Sequence, residues 1–100
     1  MLGIRLKELR EAHGYVQRQI AAELEVDTAY ISKVENGEKQ MSKLHLKKIS
    51  KFYGVSEKEL LTIWLTDKII ELVKDEPTAK ESINLALTDF ENKHFVKNSK

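Results

Sequence analysis

Two short helical patterns flank only three residues in the stretch QRQIAAELEVDTAYISKVENG, which runs from Gln17 to Gly37. Each pattern is about two helical turns long, and the link between them is EVD. A link this short forces two helices to cross steeply, so their backbones come close at the crossing. Ala21 supplies the small side chain that such a crossing requires, and Val26 supplies an apolar residue that can plug the core from the turn. The stretch therefore predicts a tightly crossed helix pair.

The second helix of this pair carries an unusual outer face. Asp27 is a good N-cap for it, and Ile31 and Val34 are spaced to point inward. The remaining positions, which we call the recognition face, are short or hydrogen-bonding side chains and one cation: Thr28, Ala29, Ser32 and Lys33. Such side chains suit a helix that lies against base edges in a groove about 12 Å wide. The pattern indicates a helix-turn-helix that reads DNA, although a solvated helix face remains the alternative for Thr28 and Ser32.

Helical periodicity continues along the rest of the chain, and no run of alternating β-branched residues interrupts it. A first helix is predicted over Ile4–His13. A fourth helix is predicted after the polar loop Glu38–Met41, with Ser42 as its N-cap. Ser56 and Glu59 form a capping box for a fifth helix. The apolar run LLTIWLTDKIIELVK follows, then Pro77, then a last helix. The chain is predicted to be all-α.

Composition excludes several classes of protein. The absence of Cys rules out disulfides, Cys-ligated zinc and a cysteine nucleophile, and it fits a reducing cytoplasm. No apolar run reaches the ~18 residues of a membrane span. The three histidines lack metal-ligand spacing, and no glycine-rich phosphate loop follows a strand. We therefore expect no enzyme activity, no metal, no cofactor and no membrane association.

Several features of the first 61 residues match the sequence pattern of a known DNA-binding domain. They are the segments LKELRE, QIAAEL, YISKVENG and YGVSEKEL, together with Gln17 at the start of the second helix. With these features, residues 4–61 resemble the phage-repressor-like (Cro/C1, XRE) DNA-binding domain. The resemblance implies a five-helix lambda-repressor-like domain over residues 1–61, and the helical pattern beyond it predicts one or two extra helices in a C-terminal extension over residues 62–100. Two positions depart from the family pattern: Glu25 stands where Gly is usual, and Val16 where Ser or Thr is usual.

The resemblance also implies a role for each matching residue. The recognition face would contact bases in the major groove. The DNA backbone would be held by polar and basic residues around it: Gln17, Arg18, Asn36, Lys39 and Lys43. Arg10 and Glu35 would form an internal ion pair that joins the first helix to the third. Basic residues are in excess in this part of the chain, because residues 1–56 carry ten Lys/Arg and seven acids whereas residues 57–100 carry seven Lys and nine acids.

Beyond the resemblance, the apolar run contains more apolar surface than a small five-helix core can hide. We expect Trp64, Leu65, Ile69 and Leu72 to form a dimer interface. A two-fold dimer would place two recognition helices one DNA turn apart, ~34 Å, and would read a pseudo-palindromic operator in double-stranded DNA. The competing interpretation is that the last helices cap their own domain in a monomer.

These features predict a sequence-specific DNA-binding transcription regulator, acting as a repressor or autoregulator in the cytoplasm. The segment LLTIWLTDKI faintly resembles bacterial regulators found beside DNA methyltransferases, which would make the chain a restriction-modification controller. The alternative is a protein-interaction module, such as an antitoxin, whose C-terminal helices bind a partner protein.

Overall fold

The computed structural model describes residues 1–98, with side chains up to residue 93. Every regular element in this part of the chain is a helix, so the all-α prediction is confirmed. The elements are α1 (Leu2–Ala12), α2 (Gln17–Leu24), α3 (Thr28–Glu35), α4 (Lys43–Tyr53), α5 (Glu57–Val73) and α6 (Ala79–Asn98). None of these helices is long and apolar enough to cross a membrane.

The chain divides into an N-terminal unit, Met1–Ile69, and a C-terminal unit that starts at Ile70. The division falls inside α5, beyond the boundary predicted at Leu61, because α5 continues without a break through the apolar run. Beyond α5, the described part of the chain contains one further helix, α6. The last two residues of the predicted extension lie outside the described residues.

The core of the N-terminal unit is built from the apolar stripes of α1 to α5. Its most deeply buried side chains are Leu24, Leu46, Ile49 and Leu60. Asp27 and Ser42 cap α3 and α4 as predicted, since their side chains accept hydrogen bonds from the N–H groups of Tyr30 and His45 at 2.8 and 3.2 Å. These caps fix where α3 and α4 begin.

The start of α1 was not predicted from the sequence. The helix begins at Leu2 rather than Ile4, because the N–H of Leu2 is satisfied by Asp67 of α5 at 2.9 Å. Gly3 is buried against the end of α3, and a Cβ at this position would lie 2.4 Å from the carbonyl oxygen of Val34. The missing side chain of Gly3 thus lets α1 approach α3 closely.

Trp64 does not belong to an exposed apolar patch, and in this respect the predicted dimer interface is wrong. Its side chain is only 8% exposed, and its indole N–H donates to the carbonyl oxygen of Met41 at 2.6 Å. Trp64 is therefore a core residue of the N-terminal unit. The other three predicted interface residues are exposed: Leu65 by 47%, Ile69 by 50% and Leu72 by 80%.

Candidate nucleic-acid interface

The steeply crossed pair of helices is formed by α2 and α3. Ala21 is buried at their crossing, and the N–H of Val26 donates to the carbonyl oxygen of Ala21 at 2.9 Å. The side chain of Val26 is half-buried and packs against the core from the turn. Both residues thus have the structural roles that their size and position predicted.

The turn keeps its tight geometry although it lacks the usual glycine. Glu25 adopts the left-handed conformation, with φ 57° and ψ 45°, and is the only non-glycine residue with positive φ in the described part of the chain. An L-residue in this conformation carries a cost of about 1–2 kcal/mol. The domain tolerates this strain, and the turn is not remodelled.

The start of α2 is also preserved, although Val16 replaces the usual Ser or Thr cap. Val16 has extended backbone and no side-chain acceptor, so it cannot cap the helix itself. The side-chain oxygen of Gln19 instead accepts the N–H of Val16 at 2.8 Å, which is one half of a capping box. The second helix therefore begins at Gln17, as predicted.

The recognition face lies on the outside of α3. Ile31 and Val34 are buried in the core, as predicted, and they fix the rotation of the helix about its axis. That rotation leaves Thr28, Ala29 and Lys33 exposed and Ser32 half-buried. The structure thus presents small and hydrogen-bonding side chains to solvent, together with one ammonium group.

Four of the five residues predicted to hold the DNA backbone are exposed: Arg18, Asn36, Lys39 and Lys43. Gln17 is half-buried, and its amide nitrogen donates to the Glu35 carboxylate at 3.0 Å. This bond uses one of its two amide hydrogens, which leaves the other hydrogen and the carbonyl oxygen for a contact outside the domain.

Glu35 is the centre of a buried polar network that joins the first three helices. Arg10 donates from two nitrogens to its carboxylate, at 2.8 and 3.1 Å, and the two side chains are 12% and 4% exposed. A third Arg10 nitrogen donates to the carbonyl oxygen of Tyr15 at 2.9 Å. The hydrogen bonds to Glu35 hold the pKa of Arg10 above its usual value. Burial raises the pKa of Tyr53 to about 12, and the charge of Glu35 adds to that rise.

Tyr30 belongs to the interior side of α3 rather than to the recognition face, because its side chain packs against the core. Its hydroxyl accepts the N–H of Ser42 at 3.1 Å and lies 3.0 Å from Nδ1 of His45. The hydroxyl can donate its own proton to that ring nitrogen, because it already accepts from Ser42. Tyr30 thus anchors α3 to the start of α4, a tertiary contact that no local pattern reveals.

Comparison with known proteins agrees with this geometry. A family model described as helix-turn-helix matches residues 6–60. The chain belongs to the helix-turn-helix family. It is a DNA-binding transcription regulator, because the family assignment is joined by a similarity to a control protein, C.MunI of Mycoplasma sp. The two are 38% identical over 61 residues, which cover 60% of this chain and 82% of the control protein.

A solved structure supports the fold over more of the chain. One chain of a SinR protein/SinI protein complex superimposes with a TM-score of 0.56 and 22% sequence identity. The match covers 93% of this helix-turn-helix protein and 99% of the other chain. It shows a shared fold that includes the C-terminal helices, beyond the residues matched by the family model.

Proposed function

We propose that the protein is a sequence-specific repressor or autoregulator that controls a restriction-modification cassette. The observation that carries the proposal is the exposed recognition face on α3, which offers base-reading side chains where charged pairs are usual. The similarity to a control protein supports the proposal that the regulated genes form a restriction-modification cassette. Occupancy of an operator would regulate transcription in the cytoplasm by blocking or contacting polymerase, without catalysis. The comparisons do not favour the alternative of a protein-interaction module.

Within this proposal, the exposed side chains divide into two classes. The Lys33 ammonium favours the O6 and N7 acceptors of guanine, and the Ala29 methyl favours the methyl of thymine. Thr28 and Ser32 offer hydroxyls to base edges. The other class holds phosphates: Asn36, Lys39 and Lys43 beside α3, and Gln17 and Arg18 at the positive end of α2.

Replacing Lys33 and Lys39 separately by alanine tests this division. Lys33→Ala is expected to change the preference at one base pair by about 1–3 kcal/mol, because it removes a contact to a base edge. Lys39→Ala is expected to weaken binding to all sequences alike and to lower the salt slope by about one. The operator is first selected from random DNA, and both variants are then measured on single-base variants of it. Identical behaviour of the two variants would show that the division is wrong.

We further propose that the regulator binds as a homodimer on a pseudo-palindromic operator. Leu65 and Ile69 support this proposal, because both are about half exposed and follow each other one turn apart on α5. Apolar side chains that stay in water in the isolated chain are those that a second copy can cover. A two-fold axis would place two copies of α3 about 34 Å apart, on successive turns of the major groove.

Replacing Leu65 and Ile69 together by glutamine is expected to weaken association. Four half-exposed apolar side chains are lost from a symmetric interface, which should raise the dimer dissociation constant by about 100-fold. Sedimentation equilibrium over a range of concentrations measures it. Ile4→Gln is the matched control, because Ile4 is an equally apolar exposed residue on α1. A wild-type protein that stays monomeric at high micromolar concentration would rule out the dimer.

A further inference from the structure

Two lysines from different helices lie over the one tryptophan of the chain. The ammonium of Lys68 on α5 is 3.9 Å from the centre of the Trp64 ring, and that of Lys43 at the start of α4 is 5.9 Å from it. The two ammonium groups are therefore within about 10 Å of each other, which is the Debye length at ~0.1 M salt. Each side chain is exposed to solvent while its cation contacts the indole.

The position of Lys68 is fixed relative to the loop between α3 and α4. Trp64 donates its indole N–H to the carbonyl oxygen of Met41 in this loop, and Gln40 donates its amide to the carbonyl oxygen of Trp64 at 3.1 Å. This part of α5 is thus held against the loop that carries Lys39 and leads into Lys43. Lys68 follows Trp64 by one helical turn, and its ammonium and that of Lys43 contact the same indole, which defines one edge of the domain.

The charges at this edge are not neutralised by the protein. Among the described residues, neither Lys43 nor Lys68 takes part in an ion pair. Asp67, the acidic neighbour of Lys68 in sequence, is instead engaged by the N-terminal amine and by the N–H of Leu2. Two cations without acidic partners at one edge create a positive potential that favours an anion such as a phosphate.

We propose that Lys68 binds the DNA backbone beside Lys43, so that the DNA interface extends from the helix-turn-helix onto α5. The inference rests on the proposed function, and it adds a DNA contact from outside the residues matched by the family model. Trp64 orients both ammonium groups before DNA arrives, which lowers the loss of side-chain freedom on binding. The contact carries no base specificity, because it is made to phosphate.

Substitution of Lys68 by glutamine tests the inference on the selected operator. The slope of log K against log salt is expected to fall by about 0.9, with binding about three- to tenfold weaker near 0.1 M salt, for all sequences alike. Lys68→Arg keeps the charge and the indole contact and should keep the wild-type slope. Lys58→Gln is the matched control, because it removes the same charge from an exposed position in the first turn of α5.

The outcomes separate this inference from the proposed function. A wild-type slope for Lys68→Gln, or equal changes for Lys68→Gln and Lys58→Gln, overturns the inference alone, provided that Lys39→Ala lowers the slope as expected. Failure of the wild-type protein to select any DNA sequence overturns the proposed function and the inference with it. Thermal unfolding of each variant confirms that a loss of binding is not a loss of fold.

Discussion

Replacing Glu35 by alanine is expected to lower the free energy of unfolding by about 3–5 kcal/mol, because it leaves a buried charge without its partner. The guanidinium of Arg10 would keep only the carbonyl oxygen of Tyr15, and the amide of Gln17 would lose its acceptor. The same residue holds α1 and α2 to the end of α3, so DNA binding should fall with stability. Urea denaturation followed by circular dichroism measures the change.

An exposed pair of the same chemistry provides the control. Arg5 and Glu59 also form an arginine–glutamate pair at 3.1 Å, but their side chains are 36% and 44% exposed. Water and salt screen this pair, so Glu59→Ala should cost at most about 1 kcal/mol. Equal effects of the two alanine substitutions would contradict the special role of burial at Glu35.

A double substitution separates the cost of an unpaired charge from the value of the pair. Replacing Arg10 by methionine and Glu35 by leucine removes both charges and keeps most of the volume. Such replacements are often neutral or stabilising, so the double variant should recover most of the stability lost in Glu35→Ala. Full recovery is not expected, because Gln17 loses its acceptor in both variants and the double variant also removes the Arg10 donor from the Tyr15 carbonyl oxygen.

Features that depend on near neighbours in the chain were predictable from the sequence. The spacing of Ile31 and Val34 predicted which face of α3 is buried, and therefore which face is exposed. Asp27 and Ser42 predicted two helix starts because an N-cap bonds to an N–H only three residues ahead. The exposed recognition face follows from these local rules. Whether each of its residues contacts a base stays a prediction.

Features that depend on distant residues were not predictable. Asp67, which lies 65 residues further along the chain, accepts the N–H of Leu2 at the start of α1. No residue near Leu2 in the sequence indicates this contact. From the sequence, Gly3 is only a residue of low helix propensity, whereas in the structure it allows α1 to approach α3 closely. The assignment of Trp64 to the surface was wrong for the same reason. Hydrophobic spacing shows that a side chain needs cover, but it does not show whether the cover is the loop at Met41 or a second chain.

Trp64→Ala is therefore expected to destabilise the N-terminal unit by about 3–5 kcal/mol, as loss of a buried aromatic side chain does. The substitution empties the space between α5 and the loop at Met41, and it leaves the Met41 carbonyl oxygen without its indole donor. Trp64→Phe keeps most of the packing but removes the indole donor, so it should lower the free energy of unfolding by less. This variant should stay folded even if the alanine variant unfolds. Denaturant unfolding measures both changes.

The monomeric background distinguishes a core residue from an interface residue. At concentrations below its raised dissociation constant, the Leu65→Gln/Ile69→Gln protein is monomeric, so a side chain that acted only through the dimer would no longer affect its stability. A core residue keeps its full effect there. We expect the loss caused by Trp64→Phe to be the same in both backgrounds and independent of protein concentration. If the loss of stability caused by Trp64→Phe disappeared in the monomer, Trp64 would be an interface residue after all. Its indole would then not be a fixed contact for Lys43 and Lys68.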